Sequence, residues 1–290
     1  MKYAEMVKQG QIRLFKAGIM DADTDAWILL ETICCVSQVD YFTRMHDEVP
    51  DDAMQAYFKA IDKRSTHYPL QYIIGEWEFM GLRFKVNESV LIPRQDTELI
   101  VETAMRIIED FFNEQDRTLD VIDLCTGSGC IAISLAKKYE NVNMVGTDIS
   151  ADALHLAKVN AELNKVDNVQ FIKSDLFLEI EADFDSRHKE FDVIISNPPY
   201  IRSKEIEKLM PEVKDYEPRL ALDGDNDGLI FYKKICAQSR GHLRKKGCLI
   251  LEIGYDQADA VTAILEKNVY RDIQVIKDWS GNDRVVVAYR

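Results

Sequence analysis

The sequence predicts an α/β fold, a mostly parallel seven-stranded sheet covered by helices, with a small all-α N-terminal domain ahead of it. Three observations carry this. From Thr118 onward, short apolar strand-like runs alternate with helical patterns. Before about residue 65, apolar residues recur only at helical spacing. A glycine turn follows the first predicted strand, where sheets of this kind bind ligands. At 290 residues, 47% of them apolar and 30% charged, the chain has room for one large domain and a smaller companion. It is too apolar to be disordered.

In order along the chain, Ala4, Val7, Ile12 and Phe15 mark a first helix and Ala26, Leu29, Leu30 and Ile33 a second. Asp21-Ala-Asp-Thr-Asp25 offers N-caps for the second. Residues 1–67 therefore read as a helical domain with a docking role. Residues 68–95 read as a linker built on a β-hairpin, because Trp77-Glu-Phe79-Met-Gly81-Leu-Arg-Phe84-Lys-Val86 is aromatic and β-rich around a glycine. Residues 96–290 form the sheet domain. It opens with a helix over Thr97–Asn113 and continues with strands at Leu119–Leu124, Val142–Asp148, Val169–Ile172, Phe191–Ser196, Cys248–Ile253, Ile273–Lys277 and Arg284–Ala288. Helices at Cys130–Tyr139 and Ala151–Leu163 lie between strands. Only Asp278–Asp283 separates the last two strands, which predicts a hairpin and one antiparallel edge strand. The segment Glu181–Glu190 reads as a charged surface insertion.

Several function classes are excluded or disfavoured. No apolar run approaches the ~20 residues that span a bilayer, and the charged, amphipathic N-terminus does not read as a signal peptide. Six cysteines without a CxxC pair read as buried free thiols in a reducing cytosol. Five histidines without an i,i+4 pair predict no metal site. A net charge of −14 argues against a dedicated nucleic-acid binder, which needs a basic face. The expectation is a cytoplasmic monomer with no membrane partner and no direct nucleic-acid partner.

The first strand runs into Asp123-Leu-Cys125-Thr126-Gly127-Ser128-Gly129, a turn whose glycines let the backbone approach a ligand. Asp148 ends the second strand, where a carboxylate can accept from both hydroxyls of a ribose. After the third strand, Asp175 can bond an adenine amino group while Leu176 packs on the ring. Three sites at three successive strand ends predict an adenosine pocket. The turn lacks the third glycine of the dinucleotide fingerprint, which favours S-adenosyl-L-methionine over NAD. Tyr200 and Lys204 mimic a dehydrogenase pair, but Tyr200 follows two prolines and cannot sit inside the helix that pair needs.

The fourth strand ends in Asn197-Pro198-Pro199-Tyr200. Each proline fixes its own φ and pushes the preceding residue into extended backbone. The Asn197 side-chain oxygen, which contacts cofactor as well as substrate, and the Pro198 carbonyl can then accept both hydrogens of one planar NH2 group. That aims the nitrogen lone pair at the cofactor methyl. Both bonds strengthen as the nitrogen becomes positive, so positioning and electrostatics carry the reaction without a histidine base. Pro199 completes the pocket, and Tyr200 is expected to stack on the flat substrate group.

The chain resembles the HemK-type (PrmC family) protein-(glutamine-N5) methyltransferases, which act on the Gly-Gly-Gln motif of peptide chain release factors. The resemblance spans nearly the whole chain. It is carried by Pro69-Leu-Gln-Tyr-Ile-Ile-Gly75, Leu91-Ile-Pro-Arg94-Gln-Asp96-Thr97-Glu98, Ser196-Asn-Pro-Pro-Tyr-Ile201, Asp215-Tyr-Glu-Pro-Arg-Leu-Ala-Leu-Asp223-Gly, Leu251-Glu-Ile-Gly-Tyr255 and Asp283-Arg284-Val-Val-Val. It implies a Rossmann-like class I methyltransferase domain using S-adenosyl-L-methionine, with S-adenosyl-L-homocysteine as product, and an N-terminal domain that grips the release factor. The sequence departs from the family's turn in having Cys125 where a glycine is usual, which is strained if the backbone there needs positive φ. Two other readings stay open: a nucleic-acid adenine-N6 methyltransferase sharing the Asn-Pro-Pro-Tyr pocket, and a non-catalytic adenosine-binding regulator.

Overall fold

The computed structural model describes residues 1–114, 117–182 and 190–290; residues 183–189 of the charged Glu181–Glu190 segment therefore lie outside the described residues. The described residues group into two compact units, Met1–Glu76 with Met210–Tyr216, and Trp77–Leu209 with Glu217–Arg290.

The first unit contains α1 (Tyr3–Lys16), α2 (Ala22–Cys34), α3 (Gln38–Arg44), α4 (Asp51–Arg64) and the short α5 (Leu70–Ile74). The stripe buried on α1 is Tyr3, Met6, Val7, Gly10 and Leu14. It packs in one core with Leu29, Leu30, Tyr57 and Ile61. Ile12 and Phe15, which share the helical spacing, face solvent instead, at 45% and 77% exposure. Gly10 marks a close approach, since a Cβ there meets the Tyr57 hydroxyl at 2.3 Å. Asp21 is the N-cap of α2 but makes no side-chain capping bond. Asp25 is buried instead and accepts from Arg64 Nε at 2.7 Å. Arg64 also donates to Glu212 at 3.0 Å, and Tyr216 donates to the Thr66 carbonyl at 2.8 Å, which ties 210–216 to this unit.

In the second unit, β1 (Glu76–Phe79) and β2 (Leu82–Lys85) form a hairpin. Its turn residues Met80 and Gly81 both have positive φ, at 52° and 72°, as the twist of a two-residue hairpin demands. Phe79 and Phe84 are buried in the core that α6 (Glu98–Glu114) and the large sheet share, so the hairpin belongs to this unit.

The sheet contains β3 (Leu119–Leu124), β4 (Val142–Asp148), β5 (Val169–Lys173), β6 (Phe191–Ser196), β7 (Leu243–Glu252), β8 (Arg271–Lys277) and β9 (Asp283–Tyr289), in the order β5-β4-β3-β6-β7-β9-β8. Neighbours from β5 to β7 pair in parallel, and β9 is antiparallel to both β7 and β8. The single antiparallel strand is thus the last in the chain, and it lies one place in from the edge rather than at it. Its composition explains the position. Val285, Val286, Val287 and Ala288 are all buried, a run apolar toward both faces that only an interior strand can hide. Strand β8, largely exposed, takes the edge.

Along the strands the side chains alternate between two layers. Val193 and Ile195 pack with α6 and α7 (Cys130–Lys138). Ile194 packs with Tyr232 and Ile235, and Val261 and Leu265 lie in the same layer. The remaining helices are α8 (Ala151–Leu163), α9 (Leu178–Ala182), α10 (Ser203–Ile206), α11 (Pro211–Lys214), α12 (Ile230–His242) and α13 (Ala258–Lys267). All six cysteines are unpaired; Cys130, Cys236 and Cys248 are buried, whereas Cys35 is exposed. Among the described residues no helix is long and apolar enough to cross a membrane.

Candidate active site

Strand order reverses at β3, which pairs with β4 on one side and β6 on the other. A crevice opens beyond the strand ends at such a point. Leu124 is in register with both Thr147 and Ser196, so Cys125, Asp148 and Asn197 leave the sheet side by side. Ser196 Oγ donates to the Leu124 carbonyl at 2.8 Å and fastens two of these ends together.

The turn after β3 needs left-handed backbone at Cys125, Gly127 and Gly129, with φ of 59°, 54° and 80°. A Cβ on Gly129 would also meet Ile133 at 2.9 Å and Ala157 at 3.1 Å, whereas one on Gly127 meets nothing within 4 Å. Gly127 is therefore required only by its φ, and its open side faces free space. The strain expected at Cys125 is present. Thr126 and Ser128, both buried, brace the turn. Thr126 Oγ1 donates to Asp123 Oδ2 at 2.6 Å, and Asn160 Nδ2 donates to the Ser128 carbonyl at 2.9 Å.

Asp148 accepts from the Gly127 amide through one oxygen and from the Ser150 amide through the other, at 2.9 Å each. These bonds lock the carboxylate in place and leave further lone pairs for a ligand. Burial raises its pKa above the usual carboxylate range. Ser174 Oγ donates to the Leu176 carbonyl at 2.7 Å, which holds Leu176 at φ 55°.

These elements surround a cavity of about 260 Å³ lined by Cys125, Thr126, Gly127, Ser128, Asp148, Asp175, Leu176, Asn197 and Pro199. Gly129, Pro198 and Tyr200 are not part of its lining. Gly129 acts beneath it as the N-cap of α7. Tyr200 turns its hydroxyl to Glu252 Oε1 at 3.3 Å and packs in the core under the loop. Tyr200 precedes α10 and is not helical, as the prolines require.

The remaining lining comes from residues to which the motifs gave no chemistry. Ser89 to Leu91, Pro93, Arg94 and Thr97 supply one wall, and Pro218, Leu220 and Ala221 another. Glu217 joins these two walls: it pairs with Arg94 and accepts from the Ile92 amide at 3.3 Å. Apart from Ser89 and Val90, both walls fall within the segments 91–98 and 215–224 that carry the family resemblance, so that match was their only signal. Phe231 and Lys234, on α12, had none.

Two buried carboxyls lie behind the cavity, Asp123 under the turn and Glu252 under the Asn197 loop. Burial raises each to about 7. Asp123 Oδ1 and Glu252 Oε2 have no hydrogen-bond partner.

Known proteins resemble this chain in sequence and fold. Residues 100–213 match the Methyltransferase small domain, and residues 5–75 match the PrmC N-terminal domain. In overall fold the chain is like the hMettl16 catalytic domain in complex with MAT2A 3′UTR hairpin 1, with a TM-score of 0.57, 17% identity and coverage of 89% of this chain and 87% of that one. Fold and site together define an enzyme of the α/β methyltransferase class. Release factor glutamine methyltransferase of Clostridium acetobutylicum is 41% identical over 267 residues, 92% of this chain and 90% of its own. That of Clostridium botulinum is 38% identical over 285 residues, 98% of each. That of Fusobacterium nucleatum subsp. nucleatum is 46% identical over 220 residues, and this chain spans only 59% of its length. The chain belongs to the release factor glutamine methyltransferase family.

Proposed function

We propose that this chain transfers a methyl group from S-adenosyl-L-methionine to the side-chain amide nitrogen, N5, of the glutamine in the Gly-Gly-Gln motif of peptide chain release factors, and so modulates translation termination. One observation carries the reading: Asn197 shares a cavity with Asp148 and Asp175, with its Nδ2 already committed to Thr97 at 3.2 Å. Its oxygen is left to receive a substrate.

The residues fit the cofactor. Asp148 has spare lone pairs for ribose hydroxyls, Asp175 is an acceptor for the adenine amino group, and Leu176 lines the same cavity with an apolar surface for the ring. The absent side chain at Gly127 leaves room for close backbone approach. When bound, S-adenosyl-L-methionine supplies an electrophilic methyl that needs no further activation. Asn197 Oδ1 and the Pro198 carbonyl accept the two hydrogens of the glutamine NH2 and orient its lone pair. These acceptors hold the same hydrogens more tightly as the nitrogen gains positive charge. Pro199 shapes the pocket, and Tyr200 supports the loop from below. The helical unit is assigned to docking the release factor, and the protein to the cytoplasm as a monomer.

The test is methyl transfer from labelled S-adenosyl-L-methionine to a purified bacterial release factor, its Gly-Gly-Gln→Gly-Gly-Ala variant, and duplex DNA. Label on the intact factor alone is expected. Label on DNA alone would mean that the pocket is read correctly and the partner wrongly.

A further inference from the structure

The Asn-Pro-Pro-Tyr loop cannot hold itself in place. Pro198 and Pro199 have no amide hydrogen to donate, and the pairing of β6 with its neighbours stops at Ser196. Its position must be set from outside, and the exit of the loop shows how. Ile201 donates its amide to the Leu222 carbonyl at 3.0 Å and accepts from the Gly224 amide at 2.8 Å. Gly224 and Gly228 then press against the Tyr200 backbone. A Cβ on Gly224 would meet Tyr200 Cα at 2.8 Å, and one on Gly228 would meet the Tyr200 carbonyl oxygen at 2.5 Å. That carbonyl finds its donor in the side chain of Gln257, which is only 3% exposed.

Gln257 Nε2 donates to the Tyr200 carbonyl at 3.0 Å and to the Gly228 carbonyl at 3.2 Å, while its Oε1 accepts from the Gly254 amide at 2.9 Å. A backbone amide only donates and a carbonyl only accepts, so a single orientation of the Gln257 amide satisfies all three. The residue stands at the N-cap of α13, where short polar side chains cap the helix, yet it makes no capping bond. Its amide serves the loop instead. The path from there to the substrate half is short. Peptide planes are rigid and the Pro199 ring sets its own φ, so only ψ of Pro199 and φ and ψ of Tyr200 can turn between the Tyr200 and Pro198 carbonyls. The Tyr200 hydroxyl, 3.3 Å from Glu252 Oε1, holds the same residue by its side chain.

We infer that Gln257 is a positioning residue for methyl transfer: by donating to the Tyr200 carbonyl it fixes the exit of the Asn-Pro-Pro-Tyr loop, and with it the direction in which the Pro198 carbonyl meets the substrate nitrogen. The inference rests on the Pro198 carbonyl being an acceptor of the substrate NH2. The second Gln257 bond, to Gly228, fastens the loop to the segment that follows the cavity wall of Leu220 and Ala221. Without the Gln257 amide, the Tyr200 and Gly228 carbonyls lose a shared donor at a place where their backbones touch. None of the cofactor-side bonds at Asp148, Gly127 or Leu176 passes through Gln257. Its loss is therefore felt by substrate alignment and not by cofactor binding.

The experiment measures kcat and KM on a purified release factor for wild type, Gln257→Met and Val261→Ala. Met fills the same space without a donor. Val261→Ala hollows the same buried helix one turn later without removing a hydrogen bond, and so controls for lost stability. Thermal melting confirms folding, and kinetics are run well below the lowest Tm. Gln257→Ala takes the place of Met if Met does not melt cooperatively. The Gln257 variant is expected to lower kcat ~10–100-fold, the scale of a misplaced reacting group, with KM and calorimetric affinity for S-adenosyl-L-methionine within about 3-fold. Val261→Ala is expected to keep kcat within about 3-fold of wild type. Undiminished kcat in the folded Gln257 variant, beside an active wild type, overturns the inference alone. So does a loss of cofactor affinity as large as the loss of kcat, or a Val261→Ala enzyme equally slow, since either makes Gln257 a general support of the fold. A wild type that labels no release factor overturns the underlying reading, and the inference with it.

Discussion

The two halves of the cavity are built by different means. The half assigned to the cofactor is held largely by short-range bonds, Thr126 to Asp123, Ser150 to Asp148 and Ser174 to Leu176, with Gly127 to Asp148 spanning 21 residues. Its demands are on φ, met by glycine at two of four positions, with Cys125 and Leu176 at the others. The half assigned to the substrate is held from afar. Asn197 leans on Thr97, 100 residues earlier, and Tyr200 on Glu252, 52 residues later. A backbone-built site tolerates changes in side chains around it, whereas one built by a buried polar network depends on every member being satisfied.

The sharpest test of that contrast is Asn197→Ala. It should cost ~10²–10³-fold in kcat, the scale of a lost transition-state partner, while S-adenosyl-L-methionine affinity by calorimetry changes less than about 3-fold. Near-normal turnover would end the proposed mechanism. Asp148→Asn should do the reverse. Cofactor affinity should weaken ~10–100-fold, as for a lost charge-assisted bond, with kcat at saturation within a few-fold of wild type. If Asp148→Asn instead abolishes turnover at saturating cofactor, the two halves are not separable.

A smaller effect concerns pH. Burial raises Glu252 from its usual 4.5 to about 7. A carboxyl raised in the folded state binds its proton more tightly there than in the unfolded chain. Its contribution to stability is therefore greatest at low pH and declines as pH rises from about 4.5 to about 7. Glu252→Gln removes that decline, so relative to wild type the variant should gain ~1–3 kcal/mol between pH 5 and pH 8 in denaturant titrations. An unchanged difference at the two pH values would mean that Glu252 is ionised throughout. The mildest effect belongs to the cofactor half. Cys125→Gly relieves left-handed strain at φ 59° and should stabilise the fold by ~1 kcal/mol, or about 2–4 °C in Tm. A lower Tm would show that the Cys125 side chain contributes more by packing than its backbone loses by strain.

The same contrast decided what was legible beforehand. Strands β3, β4 and β6 and helix α8 have the predicted boundaries because each is a long, strongly patterned run. That Cys125, Asp148 and Asp175 meet at one cavity was readable because each lies at a strand end, a place periodicity locates. The place of β9 was not, because hairpin spacing says which strands are neighbours but not which side of the pair meets the sheet. Thr97 and Glu252 gave no signal beyond the resemblance carried by segments 91–98 and 251–255. A buried polar residue looks the same in sequence as an exposed one, and only strand register brings Leu251 opposite Ser196. Tyr200 was expected to stack on the substrate; its hydroxyl bond to Glu252 turns it to a supporting place, which a tetrapeptide motif does not encode.

The interior position of β9 also bears on how this protein is made. Among the described residues, β8 joins the sheet through β9, which follows it in sequence. Until Asp283–Tyr289 emerges, β7 presents an open, apolar edge and β8 has nothing to pair with. A chain cut short before Asp283 would keep most of its sheet with one apolar border bare, the kind of border that recruits strands from other chains.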